Sequence, residues 1–254
     1  MELRNSTSIC SLILGFTTLL LPSASTAQDA GVIQVDGSQS VAFARYLEST
    51  QLRNPFTESG PVAIVIEASL PRLYKQTRLL AIRQTGESER GQYQVLRIDG
   101  DATVAEEVIV RYLKEQEEID SLPVTSIAIT PANYKFRYHG EVGSGAGLAY
   151  IFQISPKKKG AGLIQGQIWI NAATGEAVLQ TGRLVRTPVA FTGRIEVVRD
   201  TTLVNGSPCV RVTHVSMETR RAGHGELTIT EIPLEQASND TPSRIIGYAG
   251  PGGR

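Results

Sequence analysis

The chain has 254 residues, with 25 Lys and Arg against 25 Asp and Glu and a formal net charge of zero. That balance excludes the global basic footprint of a nucleic-acid-binding protein, so no nucleic-acid partner is expected. Hydrophobic residues make up 41%, and a folded chain of this length buries about 70% of its unfolded surface, so one core can carry the fold without crosslinks.

Arg4 precedes an apolar run over 9–21, followed by Pro22 and small residues; Ser25-Thr26-Ala27 has the small-x-small form of a cleavage site. This predicts a secretory signal peptide over 1–27. The run is too short and too rich in Ser and Thr to span a bilayer comfortably. The mature protein is therefore expected to be exported, periplasmic or secreted, with no stable transmembrane segment. Removing the leader takes Cys10 with it and leaves Cys209 alone, so no internal disulfide can form.

After a short lead-in, residues 38–49 carry an apolar stripe of Val41, Phe43, Ala44 and Leu47, which predicts a helix ended by Asn54-Pro55. Strands follow at 62–70, 74–85 and 92–98. In the first, Val62, Ile64, Ile66, Ala68 and Leu70 alternate with more polar positions. Asp99-Gly100-Asp101 turns the chain. Thr103 and Glu106 form a capping-box pattern, each side chain able to satisfy the other's free amide. Val104, Val108 and Tyr112 beside Ala105, Ile109 and Leu113 then predict a second helix, ending in the polar run 114–118. Residues 122–131 read as a connector with a short strand at 126–129.

From 133 to 219 the chain reads strand, turn, strand, with six strands and no helix. Tyr134, Phe136 and Tyr138 share one face and Lys135, Arg137 and His139 the other. Leu148, Tyr150, Phe152 and Ile154 repeat this, as do Ile168 and Ile170, and then Val189, Phe191, Ile195 and Val197. Such alternation gives a sheet one apolar and one wet side. The turns at 171–175 and at Asn205-Gly206 offer residues that tolerate positive φ. A last strand covers 225–232, and the chain frays from 235. The prediction is one domain over 28–234 with a flexible tail over 235–254.

At about 4.8 Å between strands and about 3.3 Å per residue, about ten strands of about eight residues present a face of about 1,250 Å². Two short helices laid on it cover roughly 420 Å². The remainder must be hidden by curling, by a second sheet or by a ligand. Twist makes curling the easy route. The predicted fold is α+β, mainly antiparallel β: a single strongly curved sheet, a half-barrel, around two helices.

The candidate binding residues are the apolar row Tyr134, Phe136, Tyr138, Tyr150, Phe152, Ile168, Ile170, Phe191 and Ile195, which could line a lipid cavity. The same row also fits an ordinary sandwich or barrel core. Lys157, Lys158 and Lys159 form a basic hairpin tip that could meet anionic headgroups, or simply a solvated turn whose charge blunts edge pairing. Gly143, Gly145 and Gly147 lie between two strands and lack the lysine of a P-loop, so they read as a hairpin loop. His139, His214 and His224 are the only histidines. Cys209 and His214 fall on opposite strand faces, so no metal site is expected. Ser144 has Val142 where a nucleophile elbow needs glycine. The carboxylates Glu106, Glu107, Glu115, Glu117 and Glu118 read as a solvated helix face. No catalytic residues and no cofactor are expected.

Three segments carry a resemblance: YKFRYHG at 134–140, YIFQISPKK at 150–158 and GQIWINAATG at 166–175. With the order helix, strands, helix, long antiparallel run, they resemble the outer-membrane lipoprotein carrier (LolA-like) family. The element order matches over roughly 36–232 and the wording over about 133–200. The resemblance implies a half-barrel that holds acyl chains or lipids against a helical lid. No family-critical polar residue falls on a matching position, so none is carried over. The expectation is an exported protein that holds or carries a lipid acyl chain or other hydrophobic ligand in the cell envelope. The alternative is a non-catalytic envelope structural or interaction protein with a filled core that docks a protein partner.

Overall fold

The computed structural model describes residues 37–51, 56, 60–84 and 92–234. The expected signal peptide, the helix stop at Asn54-Pro55 and the expected tail lie outside the described residues.

Ten strands form one open antiparallel sheet: β1 (Val62–Leu70), β2 (Lys75–Arg83), β3 (Tyr93–Gly100), β4 (Tyr134–Val142), β5 (Ala149–Pro156), β6 (Ile164–Asn171), β7 (Ala177–Leu184), β8 (Phe191–Val204), β9 (Ser207–Thr219) and β10 (Gly223–Pro233). Their order across the sheet is β3-β2-β1-β10-β9-β8-β7-β6-β5-β4, so β3 and β4 are its edges. This is the α+β half-barrel expected from the alternation. The sheet is mostly a run of hairpins, with one long connection from β3 to β4, edge to edge; β10 then pairs with β1, joining the N-terminal strands to the later meander.

The turns follow from their residues. Asn205 (φ 52°) and Gly206 (φ 81°) both take left-handed backbone, as a two-residue hairpin between Val204 and Ser207 demands. At the β6–β7 turn, Asn171 Oδ1 accepts from the Ala173 and Thr174 amides, each at 3.0 Å, while its Nδ2 donates to Ala146 O at 2.9 Å. One side chain thus ties two hairpin loops together.

Helix α1 spans Gly37–Gln51. The second helix, α2, is continuous over 102–120, but its middle, Ala105–Val110, is a π segment between α-helical ends at Ala102–Val104 and Arg111–Asp120. Its cap is not Thr103. Asp101, in extended backbone, accepts from the Thr103 amide at 2.8 Å and the Val104 amide at 3.3 Å. Lys75 sits 3.0 Å from the same carboxylate and holds it below its usual range. The short strand expected at 126–129 is instead a turn of helix, α3 (Val124–Ile127), whose first turn is closed by the Ser126 amide donating to Pro123 O at 2.8 Å.

Two apolar clusters pack on the concave face. The first joins β1, β2, β8, β9 and β10 to Val104, Val108 and Ile109 of α2. The second joins β4, β5 and β6 to Ala42, Phe43 and Tyr46 of α1. Phe43 is the hub of the second: its ring lies 4.9 Å from Phe136, edge-on, and 5.2 Å from Phe152. Aromatic pairs in such geometry contribute about 0.5–1.5 kcal/mol beyond their area. Each helix therefore roofs one end of the sheet.

Candidate functional site

The space between the two roofed ends is a cavity of about 450 Å³. Its floor is the middle of the sheet, with Ile64, Ile168, Ile195, Val197, Val215 and Ile229 among the lining side chains. Tyr46, Ser49 and Thr50 of α1 close one side; Tyr112, Leu113, Gln116 and Ile119 of α2 close the other. The Tyr46 hydroxyl donates to Ile129 O at 2.8 Å, fixing the connector at the rim. Burial holds the Tyr46 and Tyr112 hydroxyls protonated, each pushed well above its usual pKa.

The structure divides the expected binding residues. Tyr134, Ile168, Phe191 and Ile195 line the cavity. Phe136, Tyr138, Tyr150, Phe152 and Ile170 lie beside it, packed with or within the α1 cluster. Tyr134 is doubly employed, since its hydroxyl accepts from the Ile164 amide at 3.2 Å. Lys157, Lys158 and Lys159 are exposed beyond the end of β5; Lys157 also donates to Pro131 O.

A polar stripe crosses the floor, which the reading of the sequence missed. Arg83, Glu231, Arg211, Arg199 and Gln180 come from five different strands and all line the cavity. Arg83 Nη2 meets Glu231 Oε1 at 2.8 Å, and both side chains are largely buried. Arg211 lies opposite Glu231 in register, 3.9 Å away, with its guanidinium stacked 3.9 Å over the Phe56 ring. Its Nε is buried without a hydrogen-bond partner among the described residues. Arg199 donates to Gln180 Oε1 and to Thr213 Oγ1, both at 3.3 Å and both neutral. Burial, opposed by Glu231 and aided by the Arg199 and Arg83 charges, pushes Arg211 down to about 10. It remains a cation at neutral pH. Glu176, at the cavity wall, is raised by burial against the opposing pull of Arg211.

A signal for the stripe exists in the alternation. Arg199 follows Val197 by two residues, Glu231 follows Ile229 by two, and Arg211 precedes Val215 by four. Each is a charged residue continuing an inward-facing row.

Among the described residues no group of three or more His, Cys, Asp or Glu could hold a metal ion. Among them, too, no helix is long and apolar enough to cross a membrane.

No protein-family profile matches the sequence, and no curated protein matches it. Solved structures do. The chain is similar to a LolA superfamily protein from Nitrosomonas europaea at 12% identity and a TM-score of 0.32, covering 83% of this chain and 97% of that one. It is similar to MucB at 11% identity and a TM-score of 0.27, covering 80% and 96%. MucB in complex with MucA(peri) matches at 13% identity and a TM-score of 0.21, covering 78% and 95%. The solved structures thus include the LolA-like kind that the strand wording resembles. At these scores they decide nothing about function, which has to be read from the cavity.

Proposed function

We propose that this protein is a binding protein that holds a single hydrophobic molecule, of the lipid acyl-chain class, in the cavity between α1 and α2, and keeps or carries it in the cell envelope. The observation that carries this is the unroofed middle of the concave sheet, a cavity of about 450 Å³ between two separately packed helices. That volume falls within the about 300–1,000 Å³ typical of small-molecule sites. Tyr134, Ile168, Phe191 and Ile195 touch the ligand. Phe136, Tyr138, Tyr150, Phe152 and Ile170 form the stiff wall behind them. The exposed lysines 157–159 meet an anionic surface during exchange, each worth about 1 kcal/mol near charged lipid. The signal-peptide pattern in the sequence over 1–27 supports an envelope location. Native mass spectrometry of freshly purified protein tests the reading: a bound amphiphile is expected. A clean unliganded spectrum, together with no uptake of a fluorescent fatty acid, would sink it.

A second reading, docking of an envelope protein partner, is favoured by edge strand β3. Val95, Leu96 and Ile98 are each about half exposed there, and an unpaired edge is a template for an added strand. Crosslinking in cells separates the two: a reproducible protein adduct through β3 supports docking, while lipid recovery alone supports carriage.

A further inference from the structure

A cavity meant only for hydrocarbon has no use for charge on its floor, since a buried ion must be paired or it costs several kcal/mol. Here the positive charge is only partly answered. Glu231 is engaged by Arg83 at 2.8 Å and, among the described residues, is the only carboxylate ion-paired with Arg211, at 3.9 Å. Among the described residues Arg199 has neutral hydrogen-bond partners only, Gln180 and Thr213. The other carboxylates lining the cavity are Glu115, Asp120 and Glu176, and the Glu176 charge also acts on Arg211. Glu115 Oε1 accepts from the Ala190 amide at 3.3 Å, and Asp120 Oδ1 accepts from Gln116 Nε2 at 3.0 Å. Burial raises the Glu176 pKa against the opposing pull of Arg211. Arg211 also keeps a buried Nε without a hydrogen-bond partner among the described residues.

Resting on the binding reading above, we infer that the ligand is an anionic amphiphile that enters head first, its acidic group seated between Arg199 and Arg211 and its chain running along the Ile168 and Ile195 side of the floor. The planar guanidinium fork suits an oxyanion better than an ammonium would. The two strands that carry the pair are neighbours: Arg199 lies opposite Thr213, two residues along β9 from Arg211. Both side chains therefore sit on the concave face within reach of one small group. Thr213 and Gln180 already hold Arg199 in place, so the cation does not have to be ordered when the ligand arrives.

The test is calorimetric titration of the full chain with decanoate, decanol and acetate at neutral pH. A purely apolar cavity prefers decanol, because burying an ionised head without a partner is unfavourable. The inference expects the reverse, with decanoate at least about tenfold tighter, the equivalent of about 1.4 kcal/mol. Arg199→Gln should cut the decanoate preference at least about threefold. Among the described residues that substitution strands no carboxylate, so the fold is expected to survive, and an unchanged circular dichroism spectrum and melting temperature report that it has. Equal affinity for decanoate and decanol in the unaltered chain overturns the inference and leaves the binding reading standing. Retention of the full decanoate preference in Arg199→Gln overturns the assignment of the seat. Binding of acetate as tight as that of decanoate makes this a site for small anions and overturns the amphiphile. Binding of none of the three removes the binding reading itself.

Discussion

The Arg83 guanidinium reaches over β1 to the Glu231 carboxylate, Nη2 to Oε1 at 2.8 Å, although β2 and β10 never touch each other in the sheet. The pair fastens the N-terminal strands to the last strand of the chain's sheet. Arg83 Nη2 also donates to Phe56 O at 2.6 Å. Glu231 answers both Arg83 and Arg211, so removing it strands two buried cations. Glu231→Ala is expected to cost about 3–5 kcal/mol, read as a lower urea midpoint. The double variant Arg83→Met/Glu231→Leu should cost less than the single one, because no unpaired charge remains at the Arg83 position.

Gly175 sets the distance between α1 and the β6–β7 hairpin. It sits at φ 79°, and a Cβ there would lie 2.5 Å from Arg45 Cβ and 2.8 Å from Tyr46 N. Arg45 Nη1 donates to Ala173 O at 2.9 Å across the same contact. Gly175→Ala should destabilise by about 1–3 kcal/mol through backbone strain alone, with more from the clash. Limited proteolysis should then cut within α1 first; an unchanged cleavage pattern would contradict this account of docking.

Ala177 lines the cavity at the start of β7. Ala177→Phe fills space that a ligand would otherwise take. Uptake of a fluorescent fatty acid should weaken about tenfold, or about 1.4 kcal/mol, while the melting temperature moves little. Unchanged uptake would place the ligand elsewhere.

Glu176 gives a pH signature. Its folded pKa is raised by burial, so the folded chain holds this proton more tightly than the unfolded chain does. The protonated form's contribution is fully present below the ordinary carboxylate value. It is lost as pH climbs through the raised value. Glu176→Gln removes the titration. The variant should gain stability relative to the unaltered chain as pH rises from acid to neutral, and the difference should vanish in acid. Denaturation midpoints across that range check it, and a constant difference would refute it.

The sheet was legible because its signals are local. Period-two alternation and turn residues such as Asn205-Gly206 act within a few positions, and the structure places its strands close to where they indicate, although Val189, read into the inward row, lies outside β8 and is 73% exposed. Phe136 and Phe152 read as apolar for the same reason. Whether they faced a void or a packed ring was not legible. That depends on Phe43, more than ninety residues earlier in the chain, arriving 4.9 Å from Phe136. The helix cap was misread because both Asp101 and Thr103 have capping chemistry. Lys75, on a different strand, adds its charge at Asp101. The floor arginines were hidden by a habit of taking charged residues as outward-facing. Arg199 obeys the strand's parity, not the hydropathy rule, since Thr213 and Gln180 satisfy it inside.

The π segment of α2 sets the angular phase of everything after it. A wider turn accommodates one extra residue, and each residue of an ordinary helix advances the side chains by about 100°. Val104 and Val108 grip the sheet before or within that turn, whereas Tyr112, Gln116 and Ile119 look into the cavity after it. Deleting exposed Glu106 would restore a regular spiral and swing the distal half by roughly that angle. Such a chain would keep its strands, but Val108 and Ile109 would turn with the distal half and the helix would offer a different wall to any guest.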